Sequence, residues 1–268
     1  MALTGLFLCT FLVGHLLGNL QLILKTGEEG RRAFNEYAYF MGHNPFIKIL
    51  SYVTYAAVLI HVIDGILLTI QNRKARPVRY AYSKPGANSS SASRSMAILG
   101  TLILVFLATH MANFWWKMKV KEEVPLHTYT LEMKNQMMGA ANTELYYTHV
   151  PGVQPIPKDP NNIIEKGTDL YIKGTNVKVA EGYRDLHSLV MDFFSKSKNE
   201  GALFAVLFYV ISMVVLAYHL LHGFQSAFQS LGINHPKYTP LIKKLGVAFA
   251  IIVPLLFAII PVIIYQNH

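Results

Sequence analysis

The sequence predicts an all-α membrane protein built around five membrane-spanning helices. Of its 268 residues, 52% are hydrophobic and only 15% are charged, which argues against a soluble domain. The apolar residues are also concentrated in long runs, and a helix needs about 20 of them to cross the hydrocarbon core of a bilayer. Five runs reach this length: residues 1–24, 49–70, 96–116, 202–224 and 245–265.

The first run has the position of a secretory signal but not its features. No basic residue precedes it, no small-residue cleavage site ends it, and it is longer than an ordinary signal core. We therefore expect a permanent helix, although a chain that opens directly in a span is also compatible with a start further upstream. The single cysteine, Cys9, lies in this run, so no disulfide can form within the chain.

The net charge of +9 suggests either nucleic acid or anionic lipid as a partner. The segment 72–95 holds six basic residues and no acid, and the segment 226–244 holds three basic residues and no acid, which accounts for the whole excess. Short basic loops between spans stay cytoplasmic and face anionic lipid, so no nucleic-acid partner is expected. This orientation places the amino end in the cytoplasm and the carboxyl end outside.

The same orientation makes residues 117–201 a long extracytoplasmic insertion between the third and fourth spanning helices. Residues 170–179 predict a small hairpin, because two apolar-alternating stretches flank Gly174, Thr175 and Asn176. Residues 185–194 place apolar side chains on one helical face, which is typical of an amphipathic helix at a membrane surface.

Five of the eleven histidines lie in or at the edge of the spans: His15, His61, His110, His219 and His222. At about 1.5 Å per residue, His15 and His110 lie roughly 14 and 9 Å from the outer ends of their helices. His61 and His219 lie at similar depths from the inner ends. Each level thus draws one imidazole from each of two helices, as bis-axial ligation of a haem iron requires. A single histidine would equally fit a hydrogen bond to a neighbouring helix or a proton relay.

The inner pair also has a symmetrical glycine pattern, with Gly65 four residues after His61 and Gly223 four residues after His219. A macrocycle between helices requires small residues where it meets the backbone, although ordinary helix packing explains any one glycine equally well. His222 is the rival ligand to His219, and we prefer His219 for its spacing to glycine. Further small residues are available at Gly14, Gly18 and Gly100.

Other polar residues near the spans have two interpretations each. Arg94 and Ser95 are candidates to bind haem propionates, but a basic residue there also serves as a topology signal. His222 is a candidate to bind a propionate or a quinone. Asp64, the one acid within a span, is a candidate proton-transfer group or hydrogen-bond partner of a haem ligand, but an acid hydrated near the cytoplasmic end fits equally.

The histidines outside the spans give weaker evidence of a functional role. His43 could line a quinone pocket with Tyr37, Tyr39 and Asn44, but an interfacial cluster is the simpler interpretation. The others lie in loops or at the terminus and are expected to be solvated: His127, His149, His187, His235 and His268.

With these residues in view, the chain resembles the cytochrome b membrane subunit of succinate dehydrogenases and fumarate reductases, in the five-helix, di-haem, single-anchor class. The order and depth of one histidine in each of the first four helices carry the resemblance. The matching residues are Gly14-His15-Leu16, Phe34-Asn35, Asn44-Pro45-Phe46, residues 59–65, Thr109-His110 and residues 218–224. The insertion, residues 117–198, departs from the family by its length, which leaves its role open.

The resemblance implies two haem b groups, the inner one ligated by His61 and His219 and the outer one by His15 and His110. It further implies a subunit of the bacterial inner membrane that anchors a flavoprotein subunit and an iron–sulfur subunit on the cytoplasmic face. The chain would carry electrons between them and menaquinone in the respiratory chain and the tricarboxylic acid cycle. Succinate chemistry would take place on a partner subunit, so no catalytic residue is expected here. Direction and any higher oligomer are not given by the residues.

Three alternatives follow from the same residues. The first is the cytochrome b subunit of a formate dehydrogenase, nitrate reductase or hydrogenase, which the arrangement of one ligand per helix disfavours. The second is a haem-free transporter or proton channel that uses the histidines and Asp64 as relays. The third is a purely structural anchor.

Overall fold

The structure, a computed structural model of the chain, describes residues 1–75, 77–78, 82, 84–135, 139–149 and 155–268. Within these ranges the side chains of residues 85, 88, 132–135 and 139–142 are not described. Arg76 and Arg79 of the predicted basic inner loop, and residues 136–138 and 150–154 of the predicted insertion, lie outside the described residues.

Five helices are long and apolar enough to cross a membrane, which confirms a multi-pass, mostly helical protein. The third of them, Met96–Lys119, includes a π-helical stretch that the sequence did not predict, Ala112–Trp116. The described α-helices are α1 (Ala2–Leu24), α2 (Gly27–His43), α3 (Pro45–Lys74), α4 (Pro85–Asn88), α5 (Ser91–Arg94), α6 (Met96–Met111), α7 (Lys117–Lys119), α8 (Leu186–Phe194), α9 (Ala202–Ser230) and α10 (Thr239–Asn267).

Helices α3, α9 and α10 extend several residues beyond the predicted spans 49–70, 202–224 and 245–265. Hydropathy marks where a helix leaves the hydrocarbon core, whereas backbone hydrogen bonding continues into the polar flanks. The apolar runs therefore located all five spans but underestimated the lengths of these three helices.

The strands form two three-stranded antiparallel sheets. Strands β5 and β6 pair at the place where the sequence predicts the hairpin, and Gly174 in their connection has a φ of +79° that favours glycine. The sequence analysis did not predict the other four strands. The strands are β1 (Thr128–Asn135), β2 (Gly139–Tyr146), β3 (Ile156–Pro157), β4 (Ile163–Lys166), β5 (Asp169–Ile172) and β6 (Lys178–Glu181).

The chain divides into two compact units. The first, the helical unit, comprises residues 1–20, 45–111 and 193–268. The second, which we call the sheet unit, comprises residues 21–44 and 112–192. The predicted insertion therefore does not form its unit alone, because helix α2 belongs to the same unit.

In the helical unit, α1, α9 and α10 pack through a cluster of buried apolar residues that includes Cys9, Leu220 and Ala250. Glycine allows close packing at one point, since a Cβ at Gly246 would stand 2.8 Å from the ring of Phe224. Small residues at helix contacts are typical of membrane proteins, where backbones approach closely.

Hydroxyl side chains within the spans bond to their own helices. Thr54 donates to the carbonyl of Leu50 at 2.8 Å, and Ser212 donates to that of Phe208 at 2.7 Å. Bonds of this i to i−4 kind satisfy a hydroxyl without a partner from another helix. The same pattern occurs at Thr10, Ser51, Thr69, Thr101, Thr109 and Ser230.

In the sheet unit, a small apolar core is combined with a buried polar network. The core contains Leu126, Tyr146, Ile156, Leu170 and Ala180, of which Leu170 is fully buried. It draws residues from both sheets, so the two sheets pack against each other in one unit.

The buried network of the sheet unit is centred on Asn35 of α2. Its amide nitrogen lies 3.1 Å from Nδ1 of His127 and donates to Asp185 at 2.9 Å, while its oxygen accepts from the backbone N–H of His187 at 2.9 Å. Arg31 donates to the same Asp185 carboxylate at 3.0 and 2.5 Å. The network joins α2 to the start of β1 and to the first turn of α8.

Burial and charge set the ionisation of this network. Burial alone would raise the pKa of Asp185, but the hydrogen bonds from Arg31 and Asn35 outweigh it and lower that pKa to about 2. Burial, with the nearby Arg31 guanidinium, lowers the pKa of His127. Asp185 is therefore held as a carboxylate and His127 as a neutral imidazole.

The prediction that the loop histidines are solvated is wrong at two positions. His127 is 0% exposed and His187 is 9% exposed, because both belong to the polar network around Asn35. Loop position alone does not reveal such burial, since the partners come from helix α2. The remaining three are exposed: His149, His235 and His268.

Candidate functional site

The helical unit brings His15 of α1 and His110 of α6 together. Their ring centroids lie 5.9 Å apart, and the ring planes are nearly perpendicular at 89°. Each ring also stacks on a phenylalanine one turn earlier in its own helix, Phe11 for His15 and Phe106 for His110. Residues four apart share a helix face, so the two helices present matching aromatic surfaces beside this outer pair.

A second pair consists of His61 of α3 and His219 of α9, whose ring centroids lie 6.3 Å apart with 67° between the planes. Glycines allow two other helices to approach these rings. A Cβ on Gly5 of α1 would stand 3.4 Å from His61, and one on Gly100 of α6 would stand 3.9 Å from His219. We call this the inner pair.

The two pairs lie at different levels of the bundle. On α1, Gly5 marks the inner pair and His15 belongs to the outer pair, a difference of ten residues. On α6, Gly100 and His110 are also ten residues apart. At a rise of about 1.5 Å per residue, both helices give a separation of about 15 Å along the bundle.

The spacing within each pair fits a shared metal ion. A metal–imidazole bond is about 2 Å long and the ring centroid lies about 1 Å beyond the nitrogen, so two rings on opposite sides of one metal have centroids about 6 Å apart. The observed 5.9 and 6.3 Å agree with this value. The distance between the two rings of each pair is thus compatible with ligation of one metal ion by both rings.

The Nδ1 atoms of three histidines already face polar side chains. Nδ1 of His61 lies 3.1 Å from the Thr4 hydroxyl, and Nδ1 of His110 lies 3.3 Å from the Tyr209 hydroxyl. Nδ1 of His15 lies 3.5 Å from the Asn19 amide nitrogen, which also donates to the His15 carbonyl at 2.8 Å. A ligating histidine commonly donates from its second nitrogen to the surrounding protein, so the hydroxyls at His61 and His110 leave Nε2 of those two rings for a metal. The Asn19 amide is itself a donor and does not favour a proton on Nδ1 of His15.

The fourth imidazole, that of His219, differs in its hydrogen bonding. Nδ1 of His219 is the one buried side-chain nitrogen or oxygen without a hydrogen-bond partner in the part of the chain that the structure describes. An unpaired buried polar atom costs free energy, and such atoms are rare in native proteins. Within the inner pair, Nδ1 of His61 therefore has a side-chain partner, whereas Nδ1 of His219 has none among the described residues.

The rival ligand His222 lies three residues further along α9 and is partly buried. Its ring makes no contact with His61 among the described ring pairs, whereas His219 does. Geometry therefore brings His219, rather than His222, to His61.

The remaining site residues predicted near the inner pair have different environments. The Asp64 carboxylate pairs with the Met1 amino group at 2.5 Å and is about one-third exposed. The exposed Arg94 donates to the carbonyl of Ser89, and Ser95 is half-buried.

The predicted small residues beside the pairs also differ. A Cβ at Gly65 would stand 3.2 Å from the Met1 side chain, while one at Gly14 or Gly223 would meet nothing within 4 Å. The open space beside Gly14 and Gly223 is compatible with a bound group, and Gly18 is buried. The sequence analysis did not identify Gly5 as a neighbour of His61, because the two residues lie on different helices and no local spacing connects them.

The predicted aromatic cluster near His43 forms in the sheet unit. The rings of His43 and Tyr39 stack at 3.8 Å, and the Tyr39 hydroxyl donates to Glu181 at 3.1 Å. Burial, followed by the hydrogen bond to Glu181, raises the pKa of Tyr39 to about 12. His43 is exposed, which agrees with the simpler interpretation of a surface cluster.

The sequence reasoning missed the residues that hold the imidazoles. Thr4, Asn19 and Tyr209 contact Nδ1 atoms, but only Asn19 has a local signal, since it lies one turn after His15. Thr4 and Tyr209 come from other helices and could be found only from the fold.

Comparison of the chain with protein-family models, curated proteins and solved structures finds no match.

Proposed function

We propose that this chain is a membrane-anchoring di-haem cytochrome b, the subunit that joins a succinate:quinone oxidoreductase to the quinone pool. The observation that carries the proposal is the pairing of four imidazoles from four helices, with centroids 5.9 and 6.3 Å apart. A proton relay or a packing histidine has no requirement for two such pairs, whereas bis-histidine ligation requires both.

In this proposal His61 and His219 hold the inner iron, and His15 and His110 hold the outer one, each through Nε2. Bound haem iron would supply one-electron transfer, which no side chain of the chain provides. Thr4 and Tyr209 fix the rotation of their imidazoles, and Phe11 and Phe106 cover the outer rings. Apolar helices around the pairs exclude water, which helps to set the redox potential.

The partners follow from the resemblance and from charge. A flavoprotein subunit and an iron–sulfur subunit would bind at the cytoplasmic face, and the chain would connect them to menaquinone in a bacterial inner membrane. The basic segments 72–95 and 226–244 support that orientation, because positive loops remain inside. Succinate oxidation or fumarate reduction would take place on the flavoprotein partner.

Asp64 is proposed as a proton-transfer group for quinone chemistry, because it is an acidic residue within a span and lies one turn after His61. The variant Asp64→Asn should slow quinone turnover. Normal turnover together with an unchanged haem potential would exclude the role.

The direct test is a dithionite-reduced minus oxidised spectrum of the purified chain, combined with a haem-to-protein ratio. The proposal expects a b-type α-band and two haems per chain. A protein purified after growth with sufficient iron that shows no α-band would instead favour the haem-free relay.

A second test separates the cytochrome from a structural anchor. His61→Ala should remove one haem and abolish electron transfer from the iron–sulfur partner, while an anchor would retain both assembly and electron transfer.

A further inference from the structure

We propose that Tyr209 is the positioning residue of the outer pair, acting on the haem iron through His110. The inference rests on the proposed function and extends it to a residue that ligates nothing. Tyr209 lies on α9, the helix that also carries His219 of the inner pair, so α9 contributes to both sites.

The hydroxyl of Tyr209 lies 3.3 Å from Nδ1 of His110. When Nε2 is bound to iron, a neutral imidazole carries its proton on Nδ1, so His110 donates and the phenol oxygen accepts. This bond fixes the ring rotation and increases the basicity of the ligating nitrogen. A more basic ligand stabilises ferric iron and lowers the reduction potential.

Tyr209 is itself held in place by aromatic rings and is only 8% exposed. Phe194, at the end of α8, meets it edge-on at 4.9 Å, and Phe106 of α6 meets it edge-on at 5.1 Å. A tyrosine held on two sides loses little conformational entropy when its hydroxyl engages a partner. The hydroxyl is therefore preorganised for His110.

The inner pair contains a matched case in the same chain. The Thr4 hydroxyl lies 3.1 Å from Nδ1 of His61, so His61 has an equivalent partner from a different helix. Substitutions at Thr4 and Tyr209 should consequently affect different haems, which makes each variant the internal control for the other.

The experiment compares Tyr209→Phe with the unmodified chain, both purified with their haem. Phenylalanine keeps the packed ring and removes only the hydroxyl. Readouts are the haem-to-protein ratio, the midpoint potential of each haem and its low-spin EPR signal. The signal that His15→Ala removes is assigned to the outer pair.

We expect Tyr209→Phe to raise the midpoint potential of the outer haem, to shift its EPR signal and to weaken haem retention at that site about tenfold, with the inner haem unchanged. Thr4→Val should give the reciprocal result. Phe208→Leu, which alters an adjacent partly exposed ring without touching Nδ1, should change neither signal.

The outcomes separate the two proposals. If two haems bind and Tyr209→Phe leaves both potentials and both EPR signals unchanged, the role of Tyr209 is overturned and the cytochrome assignment stands. If Phe208→Leu shifts the outer signal as much as Tyr209→Phe does, packing explains the effect and the hydrogen bond does not. If the unmodified chain binds no haem, both proposals fail.

Discussion

The fully buried imidazole of His127 donates through Nε2 to the carboxylate of Glu28 at a distance of 2.9 Å. The other ring nitrogen, Nδ1, accepts from the amide of Asn35 at 3.1 Å. The two bonds assign the neutral tautomer with its proton on Nε2, because a proton on Nδ1 would face the Asn35 donor. Because a buried neutral histidine resists protonation, the stability of the sheet unit should depend on pH.

The first prediction is a loss of sheet-unit stability in mild acid. Burial and Arg31 hold the pKa of His127 in the folded chain below its ordinary value of 6.5. The stabilisation is therefore fully present above pH 6.5 and is lost as the pH falls towards and through the folded pKa. Hydrogen exchange of sheet-unit amides, corrected for intrinsic rates, should show decreasing protection between pH 7 and 5.

A non-titrating variant provides the control for that measurement. His127→Gln should be less stable than the unmodified chain at pH 7.5 and should lose the pH dependence. His149→Gln, at an exposed position in the same unit, should keep it. An unchanged pH dependence in His127→Gln would contradict the assignment.

The second prediction concerns the ion pair between Arg31 and Asp185. Asp185→Asn removes the charge that both Arg31 bonds require and leaves the guanidinium, 25% exposed, without its buried partner. We expect the free energy of unfolding of the sheet unit to fall by about 3 kcal/mol. Urea titration followed by hydrogen exchange measures the change. Asp192→Asn, at an exposed position in α8, the helix that Asp185 immediately precedes, should alter it by less than about 0.5 kcal/mol.

The third prediction distinguishes the two histidines of α9. His219→Ala should reduce the haem-to-protein ratio from two to one and leave the outer signal, because His219 faces His61 at 6.3 Å. His222→Ala should retain both haems. If His222→Ala loses one haem and His219→Ala keeps both, then His222 is the ligand. The His222 side chain would then have to adopt a rotamer that faces His61.

The fourth prediction uses two glycines of α2. A Cβ on Gly30 would lie 2.4 Å from the carbonyl oxygen of Lys25, a backbone atom that cannot move aside cheaply. Gly30→Ala should therefore destabilise the sheet unit by about 1–3 kcal/mol. Gly42→Ala has its nearest contact 3.9 Å away, at the flexible end of Lys119, and should stabilise the helix by up to about 1 kcal/mol. Thermal unfolding of the two variants gives the comparison.

The sequence was most informative for properties that depend on a single helix, such as the depth of a histidine in its span. Counting residues from the ends of the apolar runs was enough to match His15 with His110 and His61 with His219 as pairs at similar depth. Helical rise is uniform, so depth in a span follows from sequence position. Whether two rings face each other depends on helix rotation, which the sequence does not fix.

Helix α2 could have been predicted but was not. Glu28 and Glu29 lie in its first turn, and Gly30 and Phe34 are buried on one face, which is a recognisable helical pattern. The network around Asn35 is different, because its partners at His127 and Asp185 lie about a hundred residues or more away and no local spacing connects them.

The hydroxyls that bond within their own helices also bear on how the protein is made. Because Thr54, Thr69 and Ser212 satisfy themselves inside one helix, each span can enter the bilayer singly without waiting for a neighbour. The imidazoles are the groups that need another helix. Under the proposed function, we therefore expect the spans to insert as separate helices and the four histidines to pair in a later step that depends on haem.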